Sequence, residues 1–127
     1  MPIWHHDLDK KKITGGRRKA YRKKRRHESG GFATETRFDT SSRVTKKVHS
    51  SILKVKLLAN KEVNVTDKTK NITKRAKILR VISNQVNADY DRRKIITKGT
   101  LIETSIGEAT ITSRPGQHGI LNAVLMN

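Results

Sequence analysis

The stretch from Lys10 to Arg26, KKKITGGRRKAYRKKRR, holds eleven Lys or Arg in seventeen residues and no acid. The cations fall into three groups: Lys10, Lys11 and Lys12; then Arg17, Arg18 and Lys19; then Arg22, Lys23, Lys24, Arg25 and Arg26. Their common chemistry is phosphate neutralisation. An Arg grips a phosphate with a planar two-pronged fork, whereas a Lys acts as a point charge. Gly15 and Gly16, between the first two groups, let the backbone approach a phosphate closely. Tyr21, set among Arg18, Lys19, Arg22 and Lys23, offers a ring for stacking on an exposed base. Burying such charge unpaired costs several kcal/mol or more, so the segment lies outside any core and stays open in water. A solvated tail is the plainer reading of a basic run, but the glycine pair and the interleaved aromatic favour polyanion binding.

Two smaller basic groups follow: Lys46 with Lys47, and Arg92 with Arg93 and Lys94. The second sits in a polar stretch, NQVNADYDRRK, where a helical turn would bring the three cations together. On residue types alone that stretch reads equally well as a solvated loop. The formal net charge of +18 over 127 residues points first to nucleic acid, then to an anionic membrane, then to an acidic protein.

Other chemistries lack their residues. Cysteine is absent, so no disulfide framework or thiolate metal site is expected. Adjacent His5 and His6 cannot both face one metal from a helix, and no third ligand stands nearby, so no metal is expected. Gly15-Gly16 lacks the spacing of a phosphate-binding P-loop. His118 has no G-x-S-x-G partner and no locally spaced carboxylate pair, so neither catalysis nor a small-molecule substrate is expected. No apolar run reaches the roughly 18 residues of a membrane span. The first nine residues, MPIWHHDLD, lack the apolar centre of a signal peptide, which fits a cytoplasmic protein with no cofactor. Trp4 could stack on a base or dock on the protein's own surface.

The elements that must position these residues lie downstream. Of 30 Leu, Ile, Val and Phe residues, 23 fall from Ile52 onward, so a core is expected only there. The expected division is a basic arm and connector at 1–50 and a folded domain at 51–127. Within the first part, 32–50 reads as an extended polar connector without structure of its own. Nothing from Arg17 to Glu28 breaks a helix, so that part of the arm could become helical on RNA. In SILKVKLLA, Leu53, Val55, Leu57 and Ala59 share one face, the pattern of a half-buried strand. EVNVT, AKILRVIS, KIITKGTLIETS, EATITS and GILNAVLMN supply five more β-rich runs. An all-β, six-stranded antiparallel barrel-like domain is expected, because closure removes exposed edges. Pro115-Gly116 in SRPGQHG suits the centre of a type II turn.

The segment TGGRRKAYRKKRRHESG, residues 14–30, resembles the N-terminal motif of the archaeal and eukaryotic "eight-e" family of small-subunit ribosomal proteins. Residues 92–127, RRKIITKGTLIETSIGEATITSRPGQHGILNAVLMN, are similar to the archaeal form. The resemblance implies a six-stranded β-rich domain with a basic arm and a structural, non-catalytic role. It also implies small-subunit ribosomal RNA and neighbouring small-subunit proteins as partners. Its RNA-contacting motif falls on Gly15, Gly16, Arg17, Arg18, Lys19, Tyr21 and Arg22 to Arg26, and a second patch on Arg92, Arg93 and Lys94. Relatives often carry Gly-Gly-Asn where this chain has Ser50-Ser51-Ile52. DNA binding would be the rival class for such an arm, but no heptad repeat, helix-turn-helix pattern or zinc ligand set is present. A membrane-surface role would need an apolar helical face beside the charges.

Overall fold

A period of two in EVNVT sends Val63 and Val65 inward and Asn64 outward, and this alternation builds the barrel. The computed structural model describes residues 10–126. The chain divides into two units, Met1–Ala33 and Thr34–Asn127. In the second unit, β1 (Ser42–Lys47) pairs with β2 (Leu53–Ala59) as a separate antiparallel hairpin. The strands β3 (Glu62–Asp67), β4 (Ile72–Ser83), β5 (Leu101–Thr104), β6 (Glu108–Ile111) and β7 (Asn122–Leu125) form a closed barrel. Two short helices interrupt them, α1 (Ala88–Arg92) and α2 (Pro115–His118).

All six expected β-rich runs contain a strand, and the fold is mainly sheet. The closed barrel has five strands, because the first run, β2, pairs with β1 instead. Nor is the barrel wholly antiparallel: β7 closes it by running parallel to β3, with Val65 opposite Ala123. Alternation tells a strand which face to bury but not which neighbour to take, so both differences lay beyond it. β1 itself falls within residues 32–50, the stretch expected to be a connector.

The barrel core is made of Val63, Val65, Ala76, Ile78, Val81, Ile102, Ala109, Ile111 and Ala123, with Leu57, Ile96 and Leu121 packed on it. β4 changes phase midway. Ile78 pairs with Thr104, but Arg80 pairs with Glu103, so Leu79 is the extra residue of a bulge. The bulge sends Ile78 and Val81 inward and leaves Leu79 56 % exposed. Residues 34–37 strap β2 to the barrel. The hydroxyl of the fully buried Thr36 donates to the Leu57 carbonyl at 2.7 Å. The Ile96 amide donates to the Thr36 carbonyl at 2.8 Å, and the Arg37 amide to the Leu58 carbonyl at 2.9 Å.

The expected type II turn at Pro115-Gly116 is instead the helix α2. Pro115 occupies its first position, where a missing N–H costs nothing. The Gln117 and His118 amides both donate to the Arg114 carbonyl at 2.9 Å, and these bonds favour the helix. The Arg114 amide donates to Nδ1 of His118 at 3.3 Å, which gives this imidazole a capping role. Gly119 ends the helix at φ +72, and a Cβ there would lie 2.8 Å from Val55 Cγ1. Glycine is needed at this position for both conformation and space.

Candidate nucleic-acid interface

The arm has local order without a core. No residue from 10 to 33 is buried. Lys12 to Gly16 forms a tight loop: the Gly15 amide donates to the Lys12 carbonyl and the Lys12 amide to the Gly16 carbonyl, each at 2.9 Å. Gly15 has φ +81, which a residue with a side chain adopts only at a cost. An isolated antiparallel bridge between Lys11 and Arg17 closes the loop and fixes two cationic residues across it.

The next cluster is built around the single acid of the described arm. Arg22 forms an ion pair with Glu28, whose other oxygen accepts from the Arg25 amide at 3.0 Å. Arg22 Nε also donates to the Tyr21 hydroxyl at 2.9 Å, and its guanidinium lies 5.1 Å from the ring centroid. The Arg22 hydrogen bond, and then the Arg25 amide, hold the Glu28 carboxyl down at about 2. The same contacts raise the Arg22 guanidinium, Glu28 first and Tyr21 second. Arg26–Glu28 is a single 3-10 turn in the chain without RNA. Tyr21 remains 89 % exposed, its ring open to a stacking partner.

Lys46 and Lys47 lie on β1, and all six residues of that strand are exposed. The other patch is placed very differently. Asn87 caps α1 by accepting from the Asp89 amide at 2.8 Å; of the two readings of this stretch it is the helical turn that forms, with Arg92 as its last residue, Arg93 its C-cap and Lys94 just beyond. Each of the three nevertheless meets a carboxylate. Arg92 pairs with Asp89 at 2.9 Å and Lys94 with Asp91 at 3.4 Å. Arg93 grips both oxygens of Glu35 at 2.6 and 2.9 Å and also bonds Asp89. Its pKa is raised by Glu35 first, while Asp89 is held below the usual carboxylate range by Arg92 first. Asp91 is held low first by the Asn84 amide and then by Lys94. Residue types could not reveal the Arg93–Glu35 clamp, because 58 positions separate the partners.

The same balance continues around the barrel, where Arg75 pairs with Glu62 and Arg80 with Glu103. Acid-free basic sequence nevertheless runs from Lys10 to His27 in the arm and from Ser41 to Lys61 around the β1–β2 hairpin. Trp4, His5 and His6 lie outside the described residues. Among the described residues, no group of three or more acids and histidines could hold a metal ion, and no helix is long and apolar enough to cross a membrane.

Comparison with known proteins covers almost the whole chain. A family model of ribosomal protein S8e matches residues 5–126. The small ribosomal subunit protein eS8 of Ignicoccus hospitalis is 43 % identical over 124 residues, spanning 96 % of this chain and 95 % of the relative. That of Methanococcus aeolicus is 43 % identical over 129 residues, spanning 100 % and 99 %. That of Sulfolobus acidocaldarius is 42 % identical over 124 residues and 97 % of each chain.

Proposed function

The chain belongs to the ribosomal protein S8e family, and from that premise we propose that it is a structural constituent of the small ribosomal subunit whose arm holds folded ribosomal RNA. This family consists of structural ribosomal proteins and not of enzymes. The observation that carries the RNA reading is the arm itself: eleven cations between residues 10 and 26 and, among the described residues 10–33, no buried residue and one carboxylate. Protein of that composition gains little from folding on itself. It gains much from phosphates that RNA folding has brought close together, because it relieves their mutual repulsion.

The roles divide by side chain. Arg17, Arg18 and Lys19, with Lys10, Lys11 and Lys12 across the Gly15-Gly16 loop, neutralise backbone phosphates on two sides of a short ribbon. Lys23, Lys24, Arg25 and Arg26 extend the track. Arg22 exchanges the Glu28 carboxylate for a phosphate or keeps it, and in either case orients Tyr21 for stacking on an unpaired base. Arg92, Arg93 and Lys94 contribute less, since a phosphate must displace a carboxylate to reach them. Contacts with neighbouring small-subunit proteins belong to the same reading.

Ordering the arm costs about 1–2 kcal/mol per residue, which counterion release offsets. With roughly eight to ten phosphates engaged, affinity falls about 10³–10⁵-fold between 50 and 200 mM salt. The test is a truncation beginning at Thr34, which keeps the strap, the hairpin and the barrel. It is expected to unfold cooperatively and yet lose at least about 10³ in affinity for small-subunit ribosomal RNA at low salt. Retention of full affinity by this folded truncation would sink the arm-centred reading.

A further inference from the structure

The cations of the β1–β2 hairpin form no ion pair among the described residues. From Ser41 to Lys61 there is no acid, and Arg43, Lys46, Lys47, Lys54 and Lys56 make no ion pair with any described residue. Register places Lys46 directly opposite Lys54 and Val44 opposite Lys56, so three lysines share one face. Like charges directly across a pair of strands destabilise it. A two-stranded sheet is marginal in water even without that penalty, and here β1 is exposed along its whole length.

The hairpin is nonetheless held firmly at its base. Leu57 and Ala59 are buried, and the Thr36 hydroxyl and Arg37 amide bond the carbonyls of Leu57 and Leu58. On the face opposite the three lysines, α2 approaches so closely that Gly119 leaves no room for a Cβ beside Val55. The anchored base thus carries a self-repelling face made of the exposed Lys46 and the half-buried Lys54 and Lys56. Lysines on an exposed edge also discourage strand addition by another protein, which argues against a β-strand partner.

We propose that the Lys46, Lys54 and Lys56 face of the β1–β2 hairpin is a second docking surface, for the sugar–phosphate backbone of folded RNA, and that RNA completes the hairpin electrostatically. This inference rests on the RNA reading above. The surface recognises phosphate spacing and shape, not base sequence, because it offers point charges and no aromatic ring.

The test uses the full chain and a small-subunit ribosomal RNA transcript. Three triple variants are compared with the natural protein: Lys46→Gln/Lys54→Gln/Lys56→Gln in the hairpin, Lys61→Gln/Lys68→Gln/Lys98→Gln as a charge-matched control, and Arg17→Gln/Arg18→Gln/Lys19→Gln in the arm. For the hairpin triple, the slope of log affinity against log salt is expected to fall by about two to three. The control triple should change it by less than about one. RNA should raise amide protection over residues 42–47 in the natural protein and not in the hairpin triple. Free of RNA, the hairpin triple should melt no lower than the natural protein, since a repulsion has been removed.

Four results would overturn the proposal: a slope for the hairpin triple equal to that of the natural protein, a loss no greater than the control's, a lower melting temperature with faster exchange at 42–47, or protection that rises with protein concentration in the absence of RNA. The last would assign the edge to a second copy of the chain. If the arm triple also keeps the natural slope, the RNA reading itself fails. If the arm triple loses slope and the hairpin triple does not, only the hairpin inference fails.

Discussion

The arm and the barrel use the same two side chains to opposite ends. Around the barrel, arginines sit beside carboxylates: Arg75 on Glu62, Arg80 on Glu103, Arg93 on Glu35 and Asp89. In the arm, Glu28 is the one described acid against eleven cations. The barrel buries a dozen apolar residues and the described arm buries none. Hydrophobic burial supplies the stability of the first, and turn hydrogen bonds with the Arg22–Glu28 pair supply the local order described in the second. The hairpin shares a feature with each: it is anchored by apolar contact at Leu57 and Ala59 and, like the arm, is rich in lysine, as at Lys46 and Lys54. Around the barrel, arginines held by carboxylates thus serve the fold, whereas the described hairpin lysines make no such pair.

The contrast is tested most strongly by removing one large side chain from each region. Leu57→Ala should cost about 2–5 kcal/mol of stability, because Leu57 is fully buried in the core cluster. Tyr21→Ala should change stability by less than about 0.5 kcal/mol and weaken RNA binding about tenfold, the loss of one base–aromatic stack. Denaturant melts read the first effect and salt-matched binding the second. A stability loss at Tyr21 comparable to that at Leu57 would dissolve the distinction.

A smaller effect sharpens the place of the hairpin. Gly119→Ala adds a Cβ where Val55 already lies at 2.8 Å, on a backbone at φ +72. It should cost roughly 2–3 kcal/mol, part from the left-handed conformation and part from the clash. Amide exchange over β2 should rise first, since the displaced neighbour is Val55. If exchange rises evenly through the barrel, β2 is integral to it and not an appended strand.

The smallest effects separate the two kinds of charge by pH. Arg93→Gln should lower the melting temperature modestly and speed exchange at residues 35–37, whereas Arg17→Gln should do neither. Asp89 and Asp91 have depressed folded pKa values. Their contribution is therefore present above the ordinary value of 3.8 and lost as pH falls below it. Glu28 follows the same sign, losing its pairing between the ordinary 4.5 and about 2. An acid titration should thus weaken the α1 clamp and lower the barrel unit's melting temperature, while the loosening of residues 22–28 adds nothing to that shift. Loss of barrel stability in Glu28→Gln at pH 7 would show that the Arg22–Glu28 pair supports the core.

Much of the β-domain was legible because burial imposes a period on sequence. Val63 and Val65 alternate as a strand requires, and all six apolar runs contain strands. What could not be read were relations between distant residues. Leu79 looked as apolar as Ile78, yet a bulge in β4 turns it outward. β1 looked like connector because its six residues have no apolar partner within the strand, and only pairing with β2 makes it sheet. At the interface, the arm's composition was plain, whereas the neutralisation of Arg92, Arg93 and Lys94 depended on where Asp89, Asp91 and Glu35 came to lie.

By itself, the order of residues determined that the protein is a β-rich domain with an arm whose charge no core can accept. Charge density and apolar periodicity are local properties, and their free-energy consequences hold whatever the surrounding fold. Tertiary structure alone decided which strands neighbour which, that the barrel closes through the parallel β3–β7 pair, and which cations are already satisfied. Those outcomes depend on contacts across the chain, such as the 58 positions between Glu35 and Arg93. A charge is quenched by whatever lies a few ångströms away in space, and only the folded chain settles what that is.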